Sequence, residues 1–125
     1  MFSHVMVGTN DPEQAFAFYD ATFGALGVPS NRMKERAFYG EPGKPMFAVG
    51  KPANGGPATH ANGGTIGFQA KNRAAVDAWH AAGLANGGSD EGAPGERFYG
   101  DPPIYGAYMR DPDGNKLCAF CPPGL

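Results

Sequence analysis

The chain is written twice. Phe2 to Gly27 and Gly64 to Gly88 follow one plan: an apolar strand, a short polar turn, then an Ala- and aromatic-rich helical stretch that stops at glycine. His4-Val5-Met6-Val7 opens the first copy and Thr65-Ile66-Gly67-Phe68 the second. A shift of 61 positions carries His4 onto Thr65, Asp11 onto Asn72 and Phe18 onto Trp79. That shift is almost half of the 125 residues, so two similar modules are the simplest architecture.

Local signals fill in each module. Asp11 is suited to N-cap a helix, Pro12 to its first position, and Gln14 to reach back as in a capping box. Phe16, Tyr19, Phe23 and Leu26 then recur at helical spacing on one face, and Gly27 supplies the stop. A second helix opens at Asn72, turns Val76, Trp79 and Gly83 to one side and ends by Asn86-Gly87. The aromatics of both helices read as core. Beyond the first helix, β-like runs fall near Pro29–Met33, Arg36–Tyr39 and Met46–Val49. Beyond the second they fall at Arg97–Tyr99, Ile104–Arg110 and Lys116–Phe120. Turn sequences at 39–43 and 111–114 separate them. Each half therefore reads βαβββ, giving an α+β fold in a single domain over 1–125. Module one spans about 1–50, a linker about 51–63, and module two about 64–125. A long loop is expected over about 87–103.

Composition narrows the function. Hydrophobic residues make up 42% and aromatics 12%, enough for a core, while 20 glycines and 12 prolines cluster between apolar runs. The net charge is −2 and no face gathers Lys and Arg, so neither nucleic acid nor an anionic membrane is an expected partner. No run approaches the ~20 apolar residues of a membrane-spanning helix. Met1-Phe2-Ser3-His4 lacks the marks of a signal peptide, and a cytoplasmic location is expected. Cys118 and Cys121 have Cys-x-x-Cys spacing, yet they close a strand and run into Pro122-Pro123 instead of opening a helix. They read as reduced thiols. No Ser-His-Asp order, Walker loop or dinucleotide fingerprint is present.

The residues also carry a resemblance. Phe2-Ser3-His4-Val5 leading to Asp11-Pro12, then Ala17-Phe18-Tyr19-Asp20 and Phe23-Gly24-Ala25-Leu26-Gly27, is similar to the first module of glyoxalase-like proteins. Arg73-Ala74-Ala75-Val76-Asp77, Gly92-Ala93-Pro94-Gly95 and the close Tyr105-Gly106-Ala107-Tyr108-Met109-Arg110-Asp111-Pro112-Asp113-Gly114-Asn115 resemble the second. The family is the vicinal oxygen chelate superfamily of glyoxalases, bleomycin resistance proteins and extradiol dioxygenases. The resemblance implies that the mixed sheets of the two modules form a cup-shaped half-barrel. It also implies that a divalent metal in the cup acts as Lewis acid on two neighbouring substrate oxygens.

The resemblance places the ligands of that metal, and this sequence departs from them. His4 stands at the first position. Thr65 replaces the repeat-related His, and Cys118 stands where a Glu is usual, seven residues after Asp111. A fourth position near Phe47 or Ala48 offers no donor. One or two donors are too few for a catalytic metal, which needs three or more with open positions. No cofactor is therefore expected, a divalent metal remaining the alternative.

Strand alternation assigns a pocket instead. His4 and Met6 face the cup from the first strand, and Thr65, Gly67 and Gln69 from its repeat, with Ile66 and Phe68 turned to the helices. Cys118 and Phe120 share a face of the last strand, and Tyr105 is placed at the mouth. His60 reads as solvated, His80 as surface, and Arg110 and Asp111 as framing the hairpin. The preferred reading is a metal-independent binder of a small molecule. A lyase, isomerase or dioxygenase with an altered site is the second reading, and a structural or regulatory module with a filled cup the third. A homodimer is expected, because open sheet edges favour covering.

Overall fold

A computed structural model describes all 125 residues. The first module runs β1 (His4–Gly8), α1 (Pro12–Ala25), β2 (Ser30–Met33), β3 (Arg36–Tyr39) and β4 (Met46–Gly50). The second runs β5 (Ile66–Gln69), α2 (Arg73–Ala85), β6 (Ser89–Arg97), β7 (Ile104–Arg110) and β8 (Lys116–Cys121). Each module forms a four-stranded sheet, ordered β1-β4-β3-β2 and β5-β8-β7-β6. In both, the first strand pairs parallel with the last and the other pairs are antiparallel. The sheets stay open, as in a half-barrel cup.

The caps form where the sequence puts them. Asp11 accepts from the Gln14 amide and Asn72 from the Ala75 amide, each satisfying one of the orphan donors of a helix start. Gly27, at φ +75, closes α1 in a conformation that favours glycine. The helices begin 61 residues apart, 12 against 73. The last strands do not: Phe47 pairs with Val5 whereas Leu117 pairs with Ile66, a shift of 70 (117 − 47). Module two thus inserts nine residues (70 − 61) between its helix and its last strand, and β6 is the longer for it.

That insertion overturns part of the reading at 87–103. Most of the expected loop is the nine-residue β6, and the strand expected at Arg97–Tyr99 ends at Arg97. Gly92, Pro94 and Gly95 hide it by breaking the alternation. They sit where the register slips against β7, between Asp90 and Gly92 and between Gly92 and Gly95. A bulged edge strand tolerates a proline that a central strand does not.

One core of 18 buried residues joins both modules. Phe18, Tyr19, Tyr39 and Trp79 are wholly buried, each contributing about 1.5–3 kcal/mol by leaving water. Val5, Val7, Phe47 and Val49 face the helices by register. Phe68 of β5 meets the rings of Phe23 and Phe47 at 4.9 and 5.3 Å, so the first strand of module two packs on the helix and sheet of module one. Gly83 of α2 admits Phe18 and Met109, since a Cβ there would stand 3.2 Å from the Phe18 ring and closer still to Met109. His80 belongs to this interior rather than to the surface. It is 7% exposed, and its Nε2 lies 2.9 Å from Asp90 Oδ1 on β6.

Candidate functional site

Alternation and register define the inner face of each sheet, the one turned from the helices. In module one it carries His4, Met6 and Gly8 of β1 with Met46, Ala48 and Gly50 of β4. In module two it carries Gly67 and Gln69 of β5, Cys118 and Phe120 of β8, and Gly106 and Tyr108 of β7. Gly67 lies opposite Cys118 as Met6 lies opposite Ala48, so Ala48 is the module-one counterpart of Cys118.

The nominated residues are spread over adjoining grooves. Met6, Thr65 and Lys116 line one of about 350 Å³ at the seam of β1 and β5. Thr65, Glu91, Gly92, Arg97, Tyr99, Tyr108 and Lys116 line another of about 450 Å³ over module two. Gly67 and Gln69 border a cleft of about 520 Å³ at the C-terminal end of α1, where Phe2, Phe23, Leu26, Val28 and Phe68 supply an apolar wall. His4 borders none of the three; it is exposed, with Nδ1 2.8 Å from Ser3 Oγ. Tyr105 is a correction. It pairs with Cys121 on the helix side of β7, and its hydroxyl donates to Asp77 at 2.5 Å while Arg73 lies over its ring. One residue of strand offset decides the matter, because alternation puts Tyr105 and Tyr108 on opposite faces.

The donors required by a metal do not converge. No group of three His, Cys, Asp or Glu side chains anywhere in the chain is placed to hold an ion. Cys118 is buried beneath Gly67, where a Cβ would stand 3.1 Å from its sulfur, and burial pushes its thiol pKa up. A metal-binding thiol is instead held as thiolate. Cys121 lies on the other face of β8, within the core, so the two thiols do not face each other. The residues present do not fit the metal that the fold implies.

What the module-two face holds instead is aromatic and basic. Phe120 lies on Gly106, where a Cβ would be 2.3 Å from its ring, and meets Tyr108 edge-on at 5.6 Å. Tyr99 closes the other side at 6.2 Å from Phe120, its hydroxyl 3.2 Å from that of Tyr108. That hydrogen bond, with burial behind it, pushes the Tyr108 pKa up to about 12 and keeps its hydroxyl neutral. Arg97 and Lys116 stand over the Tyr108 ring at 5.8 and 5.3 Å. Contrary to the expectation from sequence, this face does gather Lys and Arg. Arg97, Arg110 and Lys116 come from three strands, and only their pairing in the sheet brings them together. Tyr99 and Tyr108 carry no sequence signal for a similar reason: β6 reads as loop, which leaves the partner face of β7 without an assigned orientation.

Asp111 does more than frame a turn. It is 3% exposed, accepts the amides of Asp113 and Asn115 on Oδ1, and accepts Asn115 Nδ2 and the Tyr19 hydroxyl on Oδ2. The hairpin of module two is thereby bonded to the helix of module one.

The comparisons with known proteins agree with this architecture. A model of the Glyoxalase/Bleomycin resistance protein/Dioxygenase superfamily matches residues 1–119. The chain is similar to a glyoxalase/bleomycin resistance protein from Albidiferax ferrireducens T118, with 52% identity over 98% of this chain and 99% of that one and a TM-score of 0.91. It shares the fold of a glyoxalase-related enzyme from Fulvimarina pelagi, with 21% identity over 98% and 88% of the two chains and a TM-score of 0.75. It likewise shares that of a lactoylglutathione lyase from Agrobacterium tumefaciens, with 23% identity over 100% and 97% and a TM-score of 0.64. No curated protein matches. No helix is long and apolar enough to cross a membrane.

Proposed function

We propose that this chain, which belongs to the glyoxalase/bleomycin resistance protein/dioxygenase superfamily, binds a small organic molecule on the inner face of its second module without a metal held by the single chain. One observation carries the reading. The positions that would supply metal donors hold exposed His4, Thr65 and buried Cys118, while the neighbouring surface presents Tyr99 and Tyr108 in an open groove, with Phe120 packed against both rings. Small-molecule sites combine apolar and aromatic lining with a few placed polar groups, which describes this groove. Fold alone does not fix the chemistry; the lining of the groove selects what can bind.

Elemental analysis of protein purified without a metal-affinity tag tests it. We expect less than about half an equivalent of metal per chain, because three converging donors are lacking. One equivalent that His4→Ala removes would replace this reading with the lyase, isomerase or dioxygenase alternative. Thr65→His combined with Cys118→Glu restores the superfamily pattern and should raise metal uptake; no increase would refute the ligand correspondence.

A further inference from the structure

The module-two groove is charged against the sign of the chain. The chain as a whole is −2, yet Arg97, Arg110 and Lys116 share this face of the sheet, and Glu91 is the one carboxylate among the residues lining the groove. Glu91 is committed to Arg110, whose guanidinium also donates to the Gly114 carbonyl. The other acids of β6 are turned away. Asp90 reaches His80 and Glu96 reaches Arg73, both on α2 behind the sheet. Arg97 is held by the carbonyls of Ala93 and Gly95, which use two of its five N–H donors and neutralise none of its charge. Lys116 forms no ion pair.

The hydroxyls point the same way. Tyr99 and Tyr108 bring two O–H hydrogens to one mutual hydrogen bond, so one hydrogen is left to donate outward. With Lys116 and the remaining N–H groups of Arg97, the groove offers donors and positive charge at its rim. Aromatic faces supply the rest. We infer that the ligand of this groove is an organic anion, a carboxylate carried on a flat apolar body, which stacks against the Tyr99–Tyr108–Phe120 rings with its carboxylate toward Lys116 and Arg97. The inference rests on the proposed function, since it names the ligand class of the same groove. Opposite charge in a partly desolvated site contributes orientation as well as affinity.

Calorimetric titration with three probes of one shape tests it: 2-naphthoate, 2-naphthylmethanol and 2-naphthylmethylamine. The expected order is naphthoate first by at least about tenfold over the alcohol, with the amine last. About 0.5 M salt should shrink the naphthoate preference and leave the alcohol unchanged, as screening predicts. Lys116→Met, which keeps the apolar stem, should weaken naphthoate at least about fivefold and leave the alcohol within about twofold. Lys116→Arg should keep the preference, which separates charge from packing. Equal affinity for naphthoate and the alcohol, or tighter binding of the amine, overturns the inference and leaves the binding groove standing. Failure of all three probes to bind overturns the groove as well.

Discussion

The hydroxyl of Tyr19 on α1 donates to Oδ2 of Asp111, 2.5 Å away at the start of the β7–β8 hairpin, and both residues are buried. Two modules built on one plan are thus joined by a hydrogen bond that neither contains alone. Asn115 extends the joint to the Gly8 carbonyl, and Asp113 accepts the Asn10 amide. Tyr19→Phe leaves a buried carboxylate short of one donor, which should cost about 1.5–3 kcal/mol in urea unfolding. Asp111→Ala strands four donors and should cost more. A Tyr19→Phe variant as stable as the wild type would show the joint to be incidental.

The same tyrosine predicts an alkaline limit. Burial, followed by the charge and hydrogen bond of Asp111, raises the Tyr19 pKa well above its ordinary value. Burial and the Asp20 hydrogen bond raise that of Tyr39. A group whose folded pKa lies above its unfolded value of about 10 stabilises fully below pH 10 and progressively less above it. Unfolding free energy should therefore hold steady from pH 8 to about 10 and fall beyond. Tyr19→Phe should flatten that fall. An identical slope in wild type and variant would remove Tyr19 from the account.

Gly88 makes a further, local prediction. Its amide donates to the Gly83 carbonyl at 2.8 Å, and a Cβ would meet that oxygen at 2.8 Å, the Arg110 carbonyl at 3.0 Å and the Phe18 ring at 2.6 Å. Backbone oxygens on both sides leave nothing that can yield. Gly88→Ala should destabilise by about 1–3 kcal/mol through overpacking, measured as a fall in the urea midpoint at unchanged slope. No change in midpoint would mean that α2 and β7 can part here.

These contacts mark what the sequence could and could not show. The repeat, both N-caps and the last hairpin were legible because they rest on local spacing: Asp11 and Asn72 act on residues three positions away. The inner-face assignments of Gly67, Cys118 and Phe120 follow from alternation along an unbroken strand. Where alternation is broken, by Gly92, Pro94 and Gly95 in β6, the strand vanished from view and the orientation of its neighbours went with it. Tyr105, expected at the mouth, turns to the helices, while Tyr108 and the cluster of Arg97, Arg110 and Lys116 have no signal in the sequence. A charge cluster assembled from three strands has no one-dimensional signature. His80 failed differently: its partner Asp90 lies ten residues on, in the same unrecognised strand.

Pairing of two copies is the next expectation. β2 is the outer strand of its sheet and all four of its residues are exposed, an open edge of the kind that a second chain covers. Light scattering across a concentration range should give about twice 13.0 kDa. A mass that stays at 13.0 kDa at the highest concentration would exclude the homodimer.

Two glycines allow the groove itself to be tested without altering its charges. Gly67 is exposed on β5, and a side chain added there would project over Cys118, which lies between Gly67 and Tyr108 in the sheet. Its backbone φ lies outside the region that requires glycine, so Gly67→Phe should fold, the only local demand being a few tenths of an ångström from the Cys118 sulfur. Gly106→Ala acts from beneath. Its Cβ would lie 2.3–2.5 Å from three atoms of the Phe120 ring, which must lift and press on Tyr99 and Tyr108. Titration with 2-naphthylmethanol, which carries no charge, should show binding lost in Gly67→Phe and weakened about tenfold in Gly106→Ala, the latter at a cost of about 1–3 kcal/mol in stability. If a folded Gly67→Phe binds the alcohol as the wild type does, the ligand sits elsewhere.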